Sequence, residues 1–177
     1  SLSEELHMEG ISYECGAESR MVYSFLYSFI VQLYSCFDIL TKIAYELENP
    51  KACQDGYAKL SSTKILFGDK KRLNLNPSFT VFEKSRSISI VENLRNELVH
   101  NATWEMNPKI FRDTVDGVIR ERFILMPDFT EEGTLVTFKN RKRFFADEKK
   151  VNEELPLLYF DVLGRIEFTL HKLLKIN

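Results

Sequence analysis

From residue 21 to residue 37 the chain carries no charged side chain, and apolar residues through and beyond that stretch keep a helical period. Val22, Leu26, Phe29, Leu33, Leu40, Ala44 and Leu47 recur three and four residues apart, so a helix from Glu18 to about Glu48 gathers them on one face. A helix that long with an apolar face has to be covered, which makes helix packing the first expectation for the core. The same stretch holds Ser24, Ser28, Gln32 and Ser35 and falls short of the ~20 predominantly apolar residues that span a bilayer. It therefore reads as a core helix, and no membrane partner is expected. Tyr23, Tyr27, Tyr34, Asp38 and Tyr45 form a second stripe, roughly 100 to 160 degrees from Val22 at ~100 degrees per residue. That stripe fits a second packed face, a subunit contact or the wall of a site.

Further along, Asn49-Pro50 ends the first helix and Pro50 opens a shorter one toward Lys59. Thr80 and Glu83 have capping-box spacing, which predicts a second helix from about Phe79 to about Asn101. Asn107-Pro108 reads as a cap and first-turn proline for a third helix, running to about Asp116. Residues 122–126 and 134–138 are short β-prone runs that can pair as a hairpin. Tyr159, Leu163, Ile166, Leu170, Leu173 and Leu174 define a final amphipathic helix from near Pro156, preceded by a charged helical stretch from Asp147. The sum is an all-α fold, an antiparallel helical bundle with a small β-hairpin insertion. It is expected to be one domain over residues 1–177, with 1–17 weakly structured and 108–150 forming the insertion.

At 44% hydrophobic and 12% aromatic, 177 residues can build a sizeable core. With 24 basic and 26 acidic residues the net charge is -2, so contact with nucleic acid depends on local patches. Cys15, Cys36 and Cys53 suit neither a disulfide framework nor zinc, which points to a reducing cytoplasm. The polar, acidic opening Ser1-Leu2-Ser3-Glu4-Glu5 does not read as a secretory signal. Gly-rich phosphate loops, Ser/His/Asp or Cys/His arrangements and metal-ligand spacings are not found in the sequence, so no cofactor or metal is expected.

On the second expected helix, Ile88, Val91, Leu94 and Leu98 form the buried arc, and Arg95 falls inside it. Glu92, Asn96 and His100 form a separate stripe at four-residue spacing, so Asn96 and His100 share a face with Arg95 beside them. A guanidinium among aliphatic side chains costs several kcal/mol or more unless it is paired or opens into a polar cleft. Asp38 is the candidate partner. On placement alone, a core Arg95–Asp38 pair beside a hydrogen-bonded surface histidine accounts for the pattern.

The segment Arg95-Asn96-Glu97-Leu98-Val99-His100 also resembles the Arg-x(4–6)-His signature of HEPN domains, in which the residue after the arginine is commonly Asn, Asp or His. The likeness covers about residues 20–105 and extends more loosely to the final helix. Small HEPN toxins often carry a tyrosine two places after the histidine, where this chain has Ala102. The resemblance implies a metal-independent endoribonuclease, in a toxin or defence setting with an antitoxin partner possible, that leaves a cyclic phosphate. It also implies a homodimer whose paired motifs line one cleft. The chain has three histidines, and His7 and His171 lie outside any motif, so a second copy of His100 supplies the second proton-transfer group that such chemistry needs.

In that chemistry an imidazole, with an ordinary pKa of about 6.5, serves as base or acid. Arg95 grips nonbridging phosphate oxygens with its planar donors, and Asn96 orients the phosphate or the ring. Lys70, Lys71 and Arg72, and Lys139, Arg141, Lys142 and Arg143 followed by Phe144-Phe145, are candidate RNA contacts. Asp69, Asp147 and Glu148 nearby equally suit an ordinary solvated surface. DNA is not specifically indicated. A non-catalytic HEPN-like module that binds RNA, a nucleotide or a protein is the alternative expectation.

Overall fold

A computed structural model of the chain describes residues 10–53, 65, 73–139, 141–142 and 144–176. In order along the chain come β1 (Gly10–Glu14), α1 (Ala17–Glu48), a single 3-10 turn (Pro50–Cys53), α2 (Arg86–Asn101), β2 (Ile110–Val115), β3 (Val118–Phe123), β4 (Thr137–Phe138), β5 (Arg141–Lys142) and α3 (Val151–Leu173). Helices make up 52% and the three-stranded antiparallel sheet brings strand content to 16%, so the fold is mixed α/β. This corrects the expected all-α bundle.

The helical part follows the periodicity. Ile30, Leu33, Phe37, Leu40 and Ala44 of α1 are buried against Val91, Leu94 and Leu98 of α2 and Leu158, Val162 and Leu173 of α3, all in one apolar cluster. Each such aliphatic side chain contributes ~1.5–3 kcal/mol when fully removed from water. At its start, α1 is fixed by Ser19, whose hydroxyl accepts from the Gly16 amide at 2.8 Å. By length and composition α1 is apolar enough to cross a membrane, and only 28% of its most apolar window is buried.

The sheet is where the expectations fail. Instead of a third helix, residues 110–115 form the central strand of the order β1-β2-β3. Asp116 and Gly117 both have positive φ, at 52° and 71°, and make the tight turn that joins β2 to β3. Part of the segment expected to be weakly structured is β1, whose Tyr13 pairs with Phe111, itself opposite Phe123. Residues 122–126 and 134–138 do not pair with each other as a hairpin. Leu125 bridges to Lys150, Phe129 to Leu135, and Thr137–Phe138 pairs with Arg141–Lys142.

The second helix starts six or seven residues later than expected. Thr80 and Glu83 do not cap it, because the Thr80 hydroxyl donates to the Pro77 carbonyl at 2.5 Å and Glu83 is taken by Arg165 at 2.6 Å. Ser85 is the cap, accepting from the Ile88 amide at 3.4 Å. The final helix begins at Val151, with Pro156 inside it.

Candidate functional site

The Arg95–His100 segment occupies the last two turns of α2, which ends at Ala102 in the left-handed conformation. Its position is set from α1. The Tyr27 hydroxyl makes a short hydrogen bond with the Thr103 hydroxyl just past the helix end. Trp104, 1% exposed, packs on Tyr27 and Tyr23 with ring centroids 4.9 and 6.2 Å away. The Tyr23 hydroxyl then donates to the Lys109 carbonyl at 3.2 Å. Burial, reinforced by Tyr27 close by, pushes the Tyr23 hydroxyl far above the usual phenol range, so it stays a neutral donor. Three aromatic side chains thus clamp the end of α2 to the first half of α1.

Arg95 is half-buried and lies against Tyr34, its guanidinium carbon 5.0 Å from the ring centroid. A cation over a tyrosine face at this distance contributes ~0.5–2 kcal/mol, depending on how dry the contact is. Nη1 of Arg95 donates to Asn96 Oδ1 at 3.0 Å. Burial raises the Tyr34 hydroxyl pKa, Glu92 and Asp38 raise it further, and Arg95 works against them. Two carboxylates and one guanidinium therefore share the surroundings of one phenol. Asp38, picked out from sequence as the partner of Arg95, comes to this cluster together with Tyr34, which the sequence placed in the same stripe of α1.

His100 is exposed in the last turn of α2, four residues from Asn96 on the same helix face. The site therefore has a half-buried part, with Arg95 against Tyr34 of α1 and Asn96 bonded to Arg95, and a solvent-facing part at His100. Lys139 is exposed, its ammonium 5.3 Å from the Phe138 ring centroid. Arg141 and Lys142 belong to β5, and Lys70, Lys71, Arg72 and Arg143 lie outside the described residues. The structure thus brings Arg95, Asn96 and Asp38 together around Tyr34.

Two features escaped the sequence reading. Glu97, inside the motif, is only 5% exposed and accepts from Asn101 Nδ2 at 2.9 Å. Its neighbours Arg95 and Asn96 drew attention to the other side of the helix. The second is Arg165 on α3, which reaches Glu83 at 2.6 Å and Asp161 at 2.9 Å, while Ser87 of α2 makes a short bond to Asp161. The four-residue spacing of Asp161 and Arg165 was the available signal. A pocket of about 300 Å³, lined in part by Ser87, Asp161 and Arg165, opens beside this network. Among the described residues, no group of three or more His, Cys, Asp and Glu side chains converges as a metal site requires.

The chain matches no family model, no curated protein and no solved structure.

Proposed function

We propose that the chain is an RNA-cleaving protein of the HEPN type, working at the Arg95–Asn96–His100 face of α2 without a metal. The observation that carries this reading is a guanidinium over the Tyr34 ring and bonded to Asn96, with an exposed imidazole one turn beyond Asn96 on the same helix. A fixed guanidinium is suited to the charge that builds on a phosphoryl group in the transition state, because its donors need no reorganisation. The 2′-hydroxyl of the RNA attacks phosphorus while His100 takes its proton. The bond to the 5′ oxygen breaks, and that oxygen is protonated by a second His100 from another copy. The products are a 2′,3′-cyclic phosphate and a free 5′-hydroxyl.

The test is incubation of purified protein with single-stranded and hairpin RNA in EDTA. Cleavage is expected for the wild type and a loss of at least ~100-fold for His100→Ala, the range of a lost proton-transfer group. Arg95→Ala is expected to lose a similar factor, and either variant cutting at the wild-type rate sinks the assignment.

A second reading is favoured by the surroundings of Arg95. A guanidinium stacked on Tyr34, with Asp38 and Glu92 in the same group, also fits a packing role at the α1–α2 contact, with the exposed end of α2 binding RNA without cutting it. Under that reading RNA is retained by the wild type, weakened by His100→Ala, and never cleaved.

A further inference from the structure

On the outward side of α1, positions 21, 25, 28, 32, 36, 39 and 43 form an uncharged stripe that is apolar at both ends and patterned symmetrically about its middle, with the exposed Lys42 beside it and Glu18 and Glu46 just beyond its ends. Met21, Phe25, Ile39 and Ile43 are 55%, 70%, 57% and 39% exposed, and between them Ser28, Gln32 and Cys36 complete a stripe at three- and four-residue spacing. Single exposed apolar side chains are ordinary on a protein surface, whereas a stripe running some 33 Å along one helix is not.

The stripe is a palindrome about Gln32. Position 25 is as far from 32 as position 39, 21 as far as 43, and 28 as far as 36. An antiparallel copy of α1 related by a two-fold axis at Gln32 therefore sets Phe25 against Ile39, Met21 against Ile43, Ser28 against Cys36, and Gln32 against itself. Large apolar groups meet large apolar groups, small meet small, and a side-chain amide meets a group that can both donate to it and accept from it. Such self-complementarity is what a two-fold interface requires of a surface and what lipid does not select.

The polar groups near the stripe are already prepared for removal from water. Ser24 and Ser35 donate into their own helix, to the Arg20 and Val31 carbonyls at 2.9 Å each. Gln32 Nε2 donates to the Ser28 hydroxyl at 3.2 Å, and Cys36 Sγ to the Gln32 carbonyl at 3.5 Å. Covering the face strands few unmet donors, which is the usual cost of burying such groups. The apolar surface continues sideways into a groove of about 490 Å³ between α1 and α3, lined by Val22, Leu26, Phe29, Leu155, Tyr159 and Phe160.

We propose that the outward face of α1 is a two-fold interface between two copies of this chain, in antiparallel register about Gln32. Tyr34 lies roughly 200 degrees round the helix from Gln32, so this contact leaves the Arg95 face open and is separate from the composite cleft. A chain that makes both contacts assembles beyond a dimer. The proposal does not rest on the ribonuclease reading.

The test is the solution mass, by light scattering, of wild type, Phe25→Glu, Ile39→Lys and the double variant, with circular dichroism to check folding; both side chains are exposed, so the fold is expected to survive. Each single change is expected to halve the mass, to 20.7 kDa from a dimer. The double variant is expected to restore it, because the acidic group introduced at 25 then faces the basic one introduced at 39 of the other copy. A wild type at 20.7 kDa overturns the proposal. So do single variants with unchanged mass, and so does a double variant that stays split, which rules out the register. A monomer that instead sediments with phosphatidylcholine–phosphatidylglycerol vesicles through Phe25 assigns the face to lipid and overturns it too. Loss of RNA cleavage with unchanged masses concerns the site alone.

Discussion

At the scale of single residues, the end of α2 carries a cost that its sequence does not need for chemistry. Ala102 has φ +63°, a conformation in which its Cβ crowds the following carbonyl, and glycine is the usual occupant of this position after a helix. What holds it there is the clamp immediately downstream, in which Thr103 bonds Tyr27 and Trp104 is buried on the Tyr23 and Tyr27 rings. Ala102→Gly is therefore expected to stabilise the protein by about 0.5–1 kcal/mol, relief of the strained φ outweighing the extra freedom of an unfolded glycine. Thermal unfolding followed by circular dichroism reads this as a rise of a few degrees. A drop in melting temperature shows that the alanine methyl makes a contact worth more than the strain. The substitution leaves the proposed site residues Arg95, Asn96 and His100 in place.

At the scale of elements, α3 is strapped to the turn before α2 by charge as well as by packing. Arg165, with its side chain 15% exposed, holds Glu83 and Asp161, and Ser87 adds a bond to Asp161. The bond from Arg165 holds the Glu83 carboxyl below its ordinary range. Burial alone lifts the Asp161 carboxyl, but the bonds from Ser87 and Arg165 outweigh it and hold it low. Both folded-state pKa values lie below the unfolded ones, so this stability is present above the ordinary carboxylate range near 4 and is lost as pH falls through the depressed values. Arg165→Met is expected to lower the urea midpoint at neutral pH, modestly because solvent screens the exposed carboxylates, and the difference from wild type should shrink below pH 4. Urea titrations across pH 2.5–7 measure it, and a constant difference over that range assigns Arg165 a packing role only. The strap also explains why the start of α2 was misread. Thr80 and Glu83 have capping-box spacing, yet they serve a separate turn ahead of the helix: Thr80 bonds the Pro77 carbonyl and the Phe82 amide, and Glu83 accepts from the Phe79 amide and from the distant Arg165. By contrast, α1 and α3 were legible because their apolar period runs for six turns or more. Tyr34 was visible as part of a stripe, but that it meets Arg95 is a tertiary fact. Asn107-Pro108 suggested a helix where β2 forms, because β2 is made by pairing with a strand about a hundred residues earlier; the one local sign was the Asp116-Gly117 turn.

At the scale of the whole molecule, the sheet and the bundle share one interior. Ile110 from β2 and Ile124, Met126, Phe129 and Leu135 from the segment after β3 are buried in the same apolar cluster as the three helices. The only tryptophan, Trp104, sits at the junction, between the end of α2 and the start of β2, against Tyr23 and Tyr27 of α1. A core shared in this way has no seam along which one layer can melt and leave the other intact, and small units with a single core unfold as one. The indole should therefore emit in the blue range expected of a ring that is 1% exposed, and its red shift in urea should coincide with the loss of far-UV helical signal. Coincident midpoints are expected from the fluorescence and dichroism curves. If fluorescence shifts at lower urea, the Tyr23–Tyr27–Trp104 clamp opens before the helices do, and the segment carrying His100 then comes free of α1 while the bundle stands. In that case the catalytic reading would need RNA itself to close the clamp.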